Sequence, residues 1–281
     1  MSTIREVSRL AGVSASTVSR VLNGTAPVAE ATRRRVMDAV GELGYRPNAF
    51  ARSLVTNRSG GIGVSVNDLG SPYYGQILQG IEAEVERAGM HLLVSSGGAN
   101  EAKERKSLEF LIERRPDALV VHLEATPDVE LLKLLGGEIP VVLIGRHLAD
   151  ASDRSVFLDN EAGGEMATRY LLEKGHRRIA HISGPLSFPD ARARLQGYRQ
   201  ALHEAAVPFD ERLFVEADFL EDGGRLAVER LLSRKTDFSA IFFGNDQMAA
   251  GGMKALRNAG LAVPDDVSVL LLGQPHHRLP G

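Results

Sequence analysis

The chain has 281 residues, 43% of them hydrophobic, with 33 Lys and Arg against 36 Asp and Glu, which suits one large domain or two to three smaller ones of an ordinary water-soluble protein. It contains no cysteine, so disulfides and thiolate metal sites are excluded. No apolar run approaches the about 18 residues of a membrane span, and the polar N-terminus does not read as a signal peptide, so a cytoplasmic location is expected.

Charge is unevenly placed. Residues 1–59 hold nine arginines against Glu6, Glu30, Asp38 and Glu42, a net of +5, while the remainder carries 24 basic and 32 acidic residues, a net of −8. A basic head on an acidic body suits a protein that docks one end onto phosphates.

The head reads as three short helices. Thr3 followed by Glu6 forms a capping box and predicts a helix over 4–10. Ala11, Gly12 and Val13 then supply a small residue for a close helix crossing, a glycine free to take positive φ, and an apolar plug. Ser14 is suited to cap a second helix, on which Val18, Val21 and Leu22 share one face while Ala15, Ser16, Ser19 and Arg20 occupy others. A third helix over 30–43 offers Val36, Ala39, Val40 and Leu43 to the same small core. Two helices meeting at a tight turn are the shape that sets a helix in the DNA major groove. Arg33, Arg34 and Arg35 read as phosphate contacts, with a solvated helix face as the alternative.

Next comes YRPNAFARSLVTNRSGG. Pro47 restricts Arg46 to extended backbone and can open a helix of about two turns over 48–55, and Gly60 with Gly61 marks a boundary. A helix that short is marginal alone in water and orders only with a partner. A plain linker, with Leu54 packed on the body, is the alternative.

From Ile62 the pattern becomes short apolar runs alternating with longer amphipathic ones. IGVSV, HLLVSS, ALVVH and VVLIG read as buried parallel strands, with helices near 73–89, 101–114 and 128–135. SVFLD, RIAHIS, LFVEA, AIFFG and VSVLLL follow as a second strand series, with helices near 161–174, 190–206, 223–234 and 246–259. Two βα series predict an α/β body of two doubly wound parallel-sheet lobes, with the ligand expected at the carboxyl ends of their strands. The domain reading is a headpiece over 1–46, a hinge over 47–59, one lobe over 60–159, a second over 160–273, and a tail over 274–281.

An enzyme is not expected. The first strand runs into NDLGSPYYG, with neither GxGxxG nor a phosphate loop. Ser183 in ISGP lacks the nucleophile-elbow context. His91, His122, His147, His176 and His181 show no metal-ligand spacing, and His276 with His277 lies in a Pro-rich tail. No catalytic residue, metal or cofactor is assigned.

The run TIREVSRLAGVSASTVSRVLNG, followed by ATRRRVMDAVGELGYRPNAFARSL, resembles the DNA-binding headpiece of the lactose/galactose-repressor family. The resemblance is dense over about sixty residues, far more specific than a bare helix-turn-helix pattern. It places Thr3, Ser14, Ala15, Ser16, Thr17, Ser19, Arg20 and Asn23 among DNA contacts, with Ala15, Ser16 and Arg20 at base edges. Arg20 is the expected guanine reader, a phosphate contact being the alternative. Ala29 stands where the family usually has a capping serine. In the hinge, the resemblance implies paired helices in the minor groove of a pseudo-palindromic operator, with Leu54 wedged between base steps and Arg52 close to the backbone.

The resemblance continues to about residue 269 through NDLGSPYYGQILQGIE, FLDNEAGGEMATRYLLEKGHRRIAHISGP, ARARLQGYRQAL, GNDQMAAGGMKAL and VPDDVSV. These are similar to signatures of the family's effector domain, whose fold is that of periplasmic sugar-binding proteins. Matched positions imply effector contacts from Asp68, Tyr73 and Tyr74 on one lobe and from Arg194, Phe219, Asn245 and Asp246 on the other; Arg146 is added from its strand-end position. Carboxylate, amide and guanidinium groups with aromatic faces fit a small polar ligand such as a sugar. Helix-start packing for Tyr73 and Tyr74 and a helix N-terminal charge for Asp246 are the alternatives; Arg194 has little evident structural reason to be there.

The function implied is a DNA-binding transcriptional regulator, a repressor acting as a homodimer, in which a sugar bound between the lobes alters hinge spacing and operator affinity. After VPDDVSV the chain reads LLLGQPHHRLPG, where the family continues with a glycine, an aromatic and aspartates, so an effector domain lacking at least one βαβ unit of about 30 residues is expected. That predicts a truncated or frameshifted regulator with a weakened dimer, and a ligand-unresponsive or inactive chain is the alternative function. A soluble sugar-binding protein would carry no headpiece, and a sugar-processing enzyme would need a catalytic constellation.

Overall fold

Three short helices open the chain in the computed structural model, which describes residues 2–24, 26–45 and 59–272. They are α1 (Ile4–Ala11), α2 (Ala15–Asn23) and α3 (Glu30–Glu42). Both arms of the Thr3–Glu6 box form: Thr3 N–H donates to Glu6 Oε2 at 2.7 Å and Glu6 N–H donates to Thr3 Oγ1 at 3.4 Å. Gly12 ends α1 at φ +62, a backbone that a residue with a Cβ adopts only at a cost. The Ser8 hydroxyl then fixes the turn by donating to the Val13 carbonyl at 2.6 Å. Ser14 caps α2 through the Thr17 N–H at 3.1 Å. α3 starts at Ala29 with no side-chain cap. Val7, Ala11, Val18, Val21, Val36 and Ala39 form the buried core, with Val40, Leu43 and Tyr45 at its margin.

The first sheet comprises β1 (Gly61–Val66), β2 (His91–Ser96), β3 (Ala118–Val121), β4 (Val141–Ile144) and β5 (Ser155–Val156), in the order β2-β1-β3-β4-β5. The β1, β2, β3 and β4 pairings are parallel, with Ile62 opposite Leu92 and Ala118. Helices α4 (Pro72–Arg87), α5 (Glu101–Glu113) and α6 (Asp128–Leu135) connect them. Gly63 makes room for its neighbour on β3: a Cβ there would stand 2.6 Å from the Leu119 side chain.

The second sheet has the order β7-β6-β8-β9, from β6 (Ile179–Ser183), β7 (Phe214–Glu216), β8 (Ala240–Phe243) and β9 (Ser268–Leu271), all parallel. Its helices are α7 (Asn160–Glu173), α8 (Pro189–Glu204), α9 (Glu221–Ser233) and α10 (Asp246–Asn258). They pack as two close pairs through glycines. A Cβ on Gly164 would lie 2.2 Å from the Arg194 carbonyl oxygen, and one on Gly251 would lie 1.7 Å from that of Glu221.

Some expectations are corrected. HLLVSS reads as a buried strand, but β2 mixes exposed and half-buried residues, and β9, within VSVLLL, is half-buried throughout. Both are edge strands, and periodicity sees the apolar run without its place in the sheet. SVFLD is a strand only over β5, and Phe157 and Leu158 after it are exposed. Short 3₁₀ turns, which carry no sequence periodicity, stand at Ala149–Arg154 and Glu211–Leu213. The chain divides into compact units Met1–Ile144 and Gly145–Gly281. The tail from Gly273, with the unusual residues after β9, lies outside the described residues. Among those described, no helix is long and apolar enough to cross a membrane.

Candidate DNA-reading and effector sites

On α2 the two faces separate as amphipathicity demands. Val18 and Val21 are buried, Ala15, Thr17 and Ser19 half-buried, and Ser14, Ser16, Arg20 and Asn23 exposed. The hydroxyls at its start are linked, Ser14 Oγ lying 2.8 Å from both Ser16 Oγ and Thr17 Oγ1. At its end Asn23 Nδ2 donates to Ser19 Oγ at 3.1 Å. Arg20 is exposed and makes no ion pair among the described residues, which leaves its planar fork available. Thr3 is exposed but engaged: its backbone and hydroxyl bonds hold the Glu6 carboxyl below its usual range. Arg33, Arg34 and Arg35 are all exposed. Arg52 and Leu54 lie outside the described residues, as does 46–58 as a whole.

In the first sheet, side chains gather just past the strand ends. Asp68 follows β1 and is exposed, its Oδ1 accepting the Gly70 N–H at 2.8 Å. Tyr73 and Tyr74 sit in the first turn of α4 with ring centroids 4.9 Å apart, edge to face. The Tyr74 hydroxyl is 3.5 Å from Nδ1 of His122, which follows β3 and is buried. His122 Nε2 in turn lies 3.5 Å from Oε1 of Glu124, whose side chain is also buried. The loop behind them is pinned by Glu104, a fully buried carboxylate on α5 that accepts the backbone N–H groups of Glu124, Ala125 and Thr126 and the Thr126 hydroxyl. His122 and Glu124 are missing from the residues assigned on sequence. The signal was present: a histidine immediately after the buried run ALVV stands at a strand's carboxyl end. Arg146, half-buried, follows β4.

The second sheet is built likewise. Arg194 Nε donates to Asn160 Oδ1 at 2.8 Å, its guanidinium donates to the Gly244 carbonyl just past β8, and Asp190 lies 3.8 Å away. The expectation that Arg194 lacks a structural reason is therefore wrong; it ties the starts of α7 and α8 to the end of β8. Burial pushes the Asp190 carboxyl up, with the Arg194 charge opposing. Asn245 caps α10 by accepting the Met248 N–H at 2.9 Å and donates to the Phe219 carbonyl at 2.8 Å. The Phe219 ring covers Gly184, where a Cβ would lie 2.1 Å from it, and meets Phe188 edge to face at 5.8 Å. Asp246 stands in the first turn of α10, its Oδ1 accepting the Gln247 N–H at 2.9 Å. Among the described residues no group of His, Asp and Glu is placed to hold a metal ion.

A basic helical head with an exposed arginine, joined to two parallel sheets whose polar and aromatic groups stand at strand carboxyl ends, has counterparts among known proteins. Residues 3–48 match the family described as bacterial regulatory proteins, lacI family, and residues 59–275 match periplasmic binding proteins and the sugar binding domain of the LacI family. The chain belongs to the LacI family. It is 41% identical over 270 residues to the HTH-type transcriptional regulator GalR of Salmonella typhimurium (strain SL1344), covering 96% of this chain and 79% of that one. The lac repressor dimer bound to operator and the anti-inducer ONPF is similar with a TM-score of 0.84, 30% identity, and 95% and 81% of the two chains covered. The transcriptional regulator CelR in its cellobiose complex is 34% identical with a TM-score of 0.65, covering 96% and 82%. As a LacI-family member the chain is a DNA-binding transcriptional regulator, and its relatives are regulators rather than enzymes.

Proposed function

We propose that this regulator is a repressor that binds a pseudo-palindromic operator as a homodimer and releases or tightens it in response to a small ligand, a sugar. The observation that carries the reading is the division of α2, which buries Val18 and Val21 and leaves Ser16 and Arg20 exposed. In this reading Ala15, Ser16 and Arg20 address base edges, and Thr3, Ser14, Thr17, Ser19 and Asn23 position the helix on the backbone. Arg52 and Leu54 act from the hinge, over 47–59, in the minor groove.

For the ligand, the aromatic rings of Tyr73, Tyr74 and Phe219 offer flat apolar faces, and Asp68, Arg146, Arg194, Asn245 and Asp246 offer hydroxyl partners; His122 joins them. This is the chemistry a sugar requires, and the sugar in the CelR–cellobiose complex supports the class. A ligand shifts operator affinity only through its differential affinity for two arrangements of the protein.

The test has two arms. A duplex selected from a random-sequence pool is titrated by anisotropy at several salt concentrations; a salt-independent affinity, or one unchanged in Arg20→Ala, defeats the docking claim. A thermal-shift screen of monosaccharides, disaccharides and nucleosides is expected to yield a sugar whose stabilisation is lost in Phe219→Ala. Stabilisation by nucleosides alone would replace the sugar with a base.

A further inference from the structure

Asp117 stands immediately before β3, half-buried, and binds the point at which the chain enters the first sheet. Its Oδ1 accepts the Ser59 N–H at 2.7 Å and the Ser59 hydroxyl at 3.3 Å, and its Oδ2 accepts the Gly60 N–H at 3.1 Å. The backbone completes the knot. The Asp117 N–H donates to the Gly61 carbonyl and the His91 N–H to the Gly60 carbonyl, each at 2.8 Å, while the Gly61 N–H donates to Ser59 Oγ at 3.1 Å. One carboxylate thus holds two successive backbone N–H groups in addition to a hydroxyl, and the strands β1, β2 and β3 all meet at this junction.

The sequence here is Ser-Gly-Gly, with Gly60 at φ +71, the kind of backbone that dissipates a displacement by rotating its own dihedrals. Residues 46–58, the only covalent route to the headpiece, join the body at Ser59. An anionic acceptor of several donors is among the stronger hydrogen-bonding groups a protein has, and here its donors are Ser59 and Gly60.

We propose that Asp117 is the positioning residue that couples the body to the DNA-reading headpiece: by clamping Ser59 and Gly60 it removes slack, so that a shift of β1 and β3 reaches the hinge instead of being absorbed at the two glycines. This rests on the regulator reading above. Coupling of this kind is a free energy between two ends of the molecule, and it is weakened where the connecting element becomes compliant.

The experiment uses the full chain as wild type, Asp117→Asn and Ser59→Ala. Each is titrated against a duplex enriched from a random pool by the wild type and against an unrelated duplex, with hydrogen exchange followed at 59–61 and thermal unfolding recorded in parallel. Asp117→Asn is expected to exchange faster at 59–61 and to lose about tenfold in affinity for the selected duplex. Affinity for the unrelated duplex should be unaffected, and the melting temperature should fall by only about 2–4 °C. Ser59→Ala keeps both N–H bonds and should lose less. Unchanged affinity of Asp117→Asn for the selected duplex overturns the proposal, and so does an equal loss on both duplexes with a larger fall in melting temperature, which marks plain destabilisation. If the wild type enriches no duplex, the regulator reading itself fails and takes this inference with it.

Discussion

Asn245 and Phe219, on different strand-end connections of the second sheet, are joined by a 2.8 Å hydrogen bond from the Asn245 amide to the Phe219 carbonyl. Phe219 sits at φ +69, a conformation that costs a bulky residue on the order of 1–3 kcal/mol and persists only where its surroundings impose it. The bond helps impose it, and its consequence is a phenyl ring laid over Gly184. Asn245→Asp keeps the oxygen that caps α10 but loses the donor. We expect it to cost about 1–3 kcal/mol in urea unfolding and to abolish thermal stabilisation by the sugar found in the screen. Unaltered ligand stabilisation would remove Phe219 from the site.

Gly184→Ala tests the same surface from below. The added Cβ would meet the Phe219 ring at 2.1 Å, so the ring must move, at a cost of roughly 1–3 kcal/mol. The expected signature in a ligand titration is a weakened ligand affinity in a chain that still unfolds cooperatively.

The headpiece can be strengthened at one position. Ala29 has the extended backbone of an N-cap, φ −55 and ψ 137, but no side-chain bond to α3. Ala29→Ser supplies the missing acceptor and should stabilise the three-helix core by about 0.5–2 kcal/mol, read as slower amide exchange in residues 30–42 of the full chain. Thr3→Ala should do the reverse by a similar amount.

Arg20→Ala should lower affinity for the selected duplex by about 1–3 kcal/mol if the guanidinium reads a guanine, with relaxed preference at a single base pair. A loss spread uniformly over all sequences, with a shallower salt dependence, would assign Arg20 to phosphate instead.

Stability should fall in mild acid because of His181. It is fully buried on β6, with Nδ1 3.0 Å from the Phe242 carbonyl and its ring stacked on Phe242 and Tyr198. Burial pushes its imidazole down to about 4. The folded chain therefore holds it neutral, while the unfolded chain protonates it below about 6.5. The stability belonging to the neutral form is complete above 6.5, declines as pH falls between 6.5 and 4, and the deficit levels off below 4 at about 3 kcal/mol. Urea midpoints of wild type and His181→Phe across this range should converge on a difference that is flat above 6.5 and shrinks or reverses below it.

Much of the fold was legible because its signals are local. A capping box needs only Thr3 and Glu6, and the β/α alternation of the body needs only the period of its apolar residues. Tyr73, Tyr74, Asn245 and Asp246, proposed as effector contacts from the family resemblance, stand where the strand and helix pattern puts them, each just past a strand or in the first turn of the helix after it. His122 carries the same positional signal, immediately after β3. The structural role of Arg194 was not legible, since its partners Asn160 and Gly244 come from other elements.

The sequence by itself thus determined the three-helix head, the missing cap at Ala29, the two βα series and the family. Tertiary structure alone decided the strand orders, the edge positions of β2 and β9, the meeting of Tyr74 with His122, the Phe219 ring over Gly184, and the clamp of Asp117 on Ser59 and Gly60. The division has one physical cause. Caps and periodicities are interactions within a turn or two of the backbone, whereas strand order is set by how helices and sheets bury their faces together, and only that packing brings residues distant in sequence into hydrogen-bonding range.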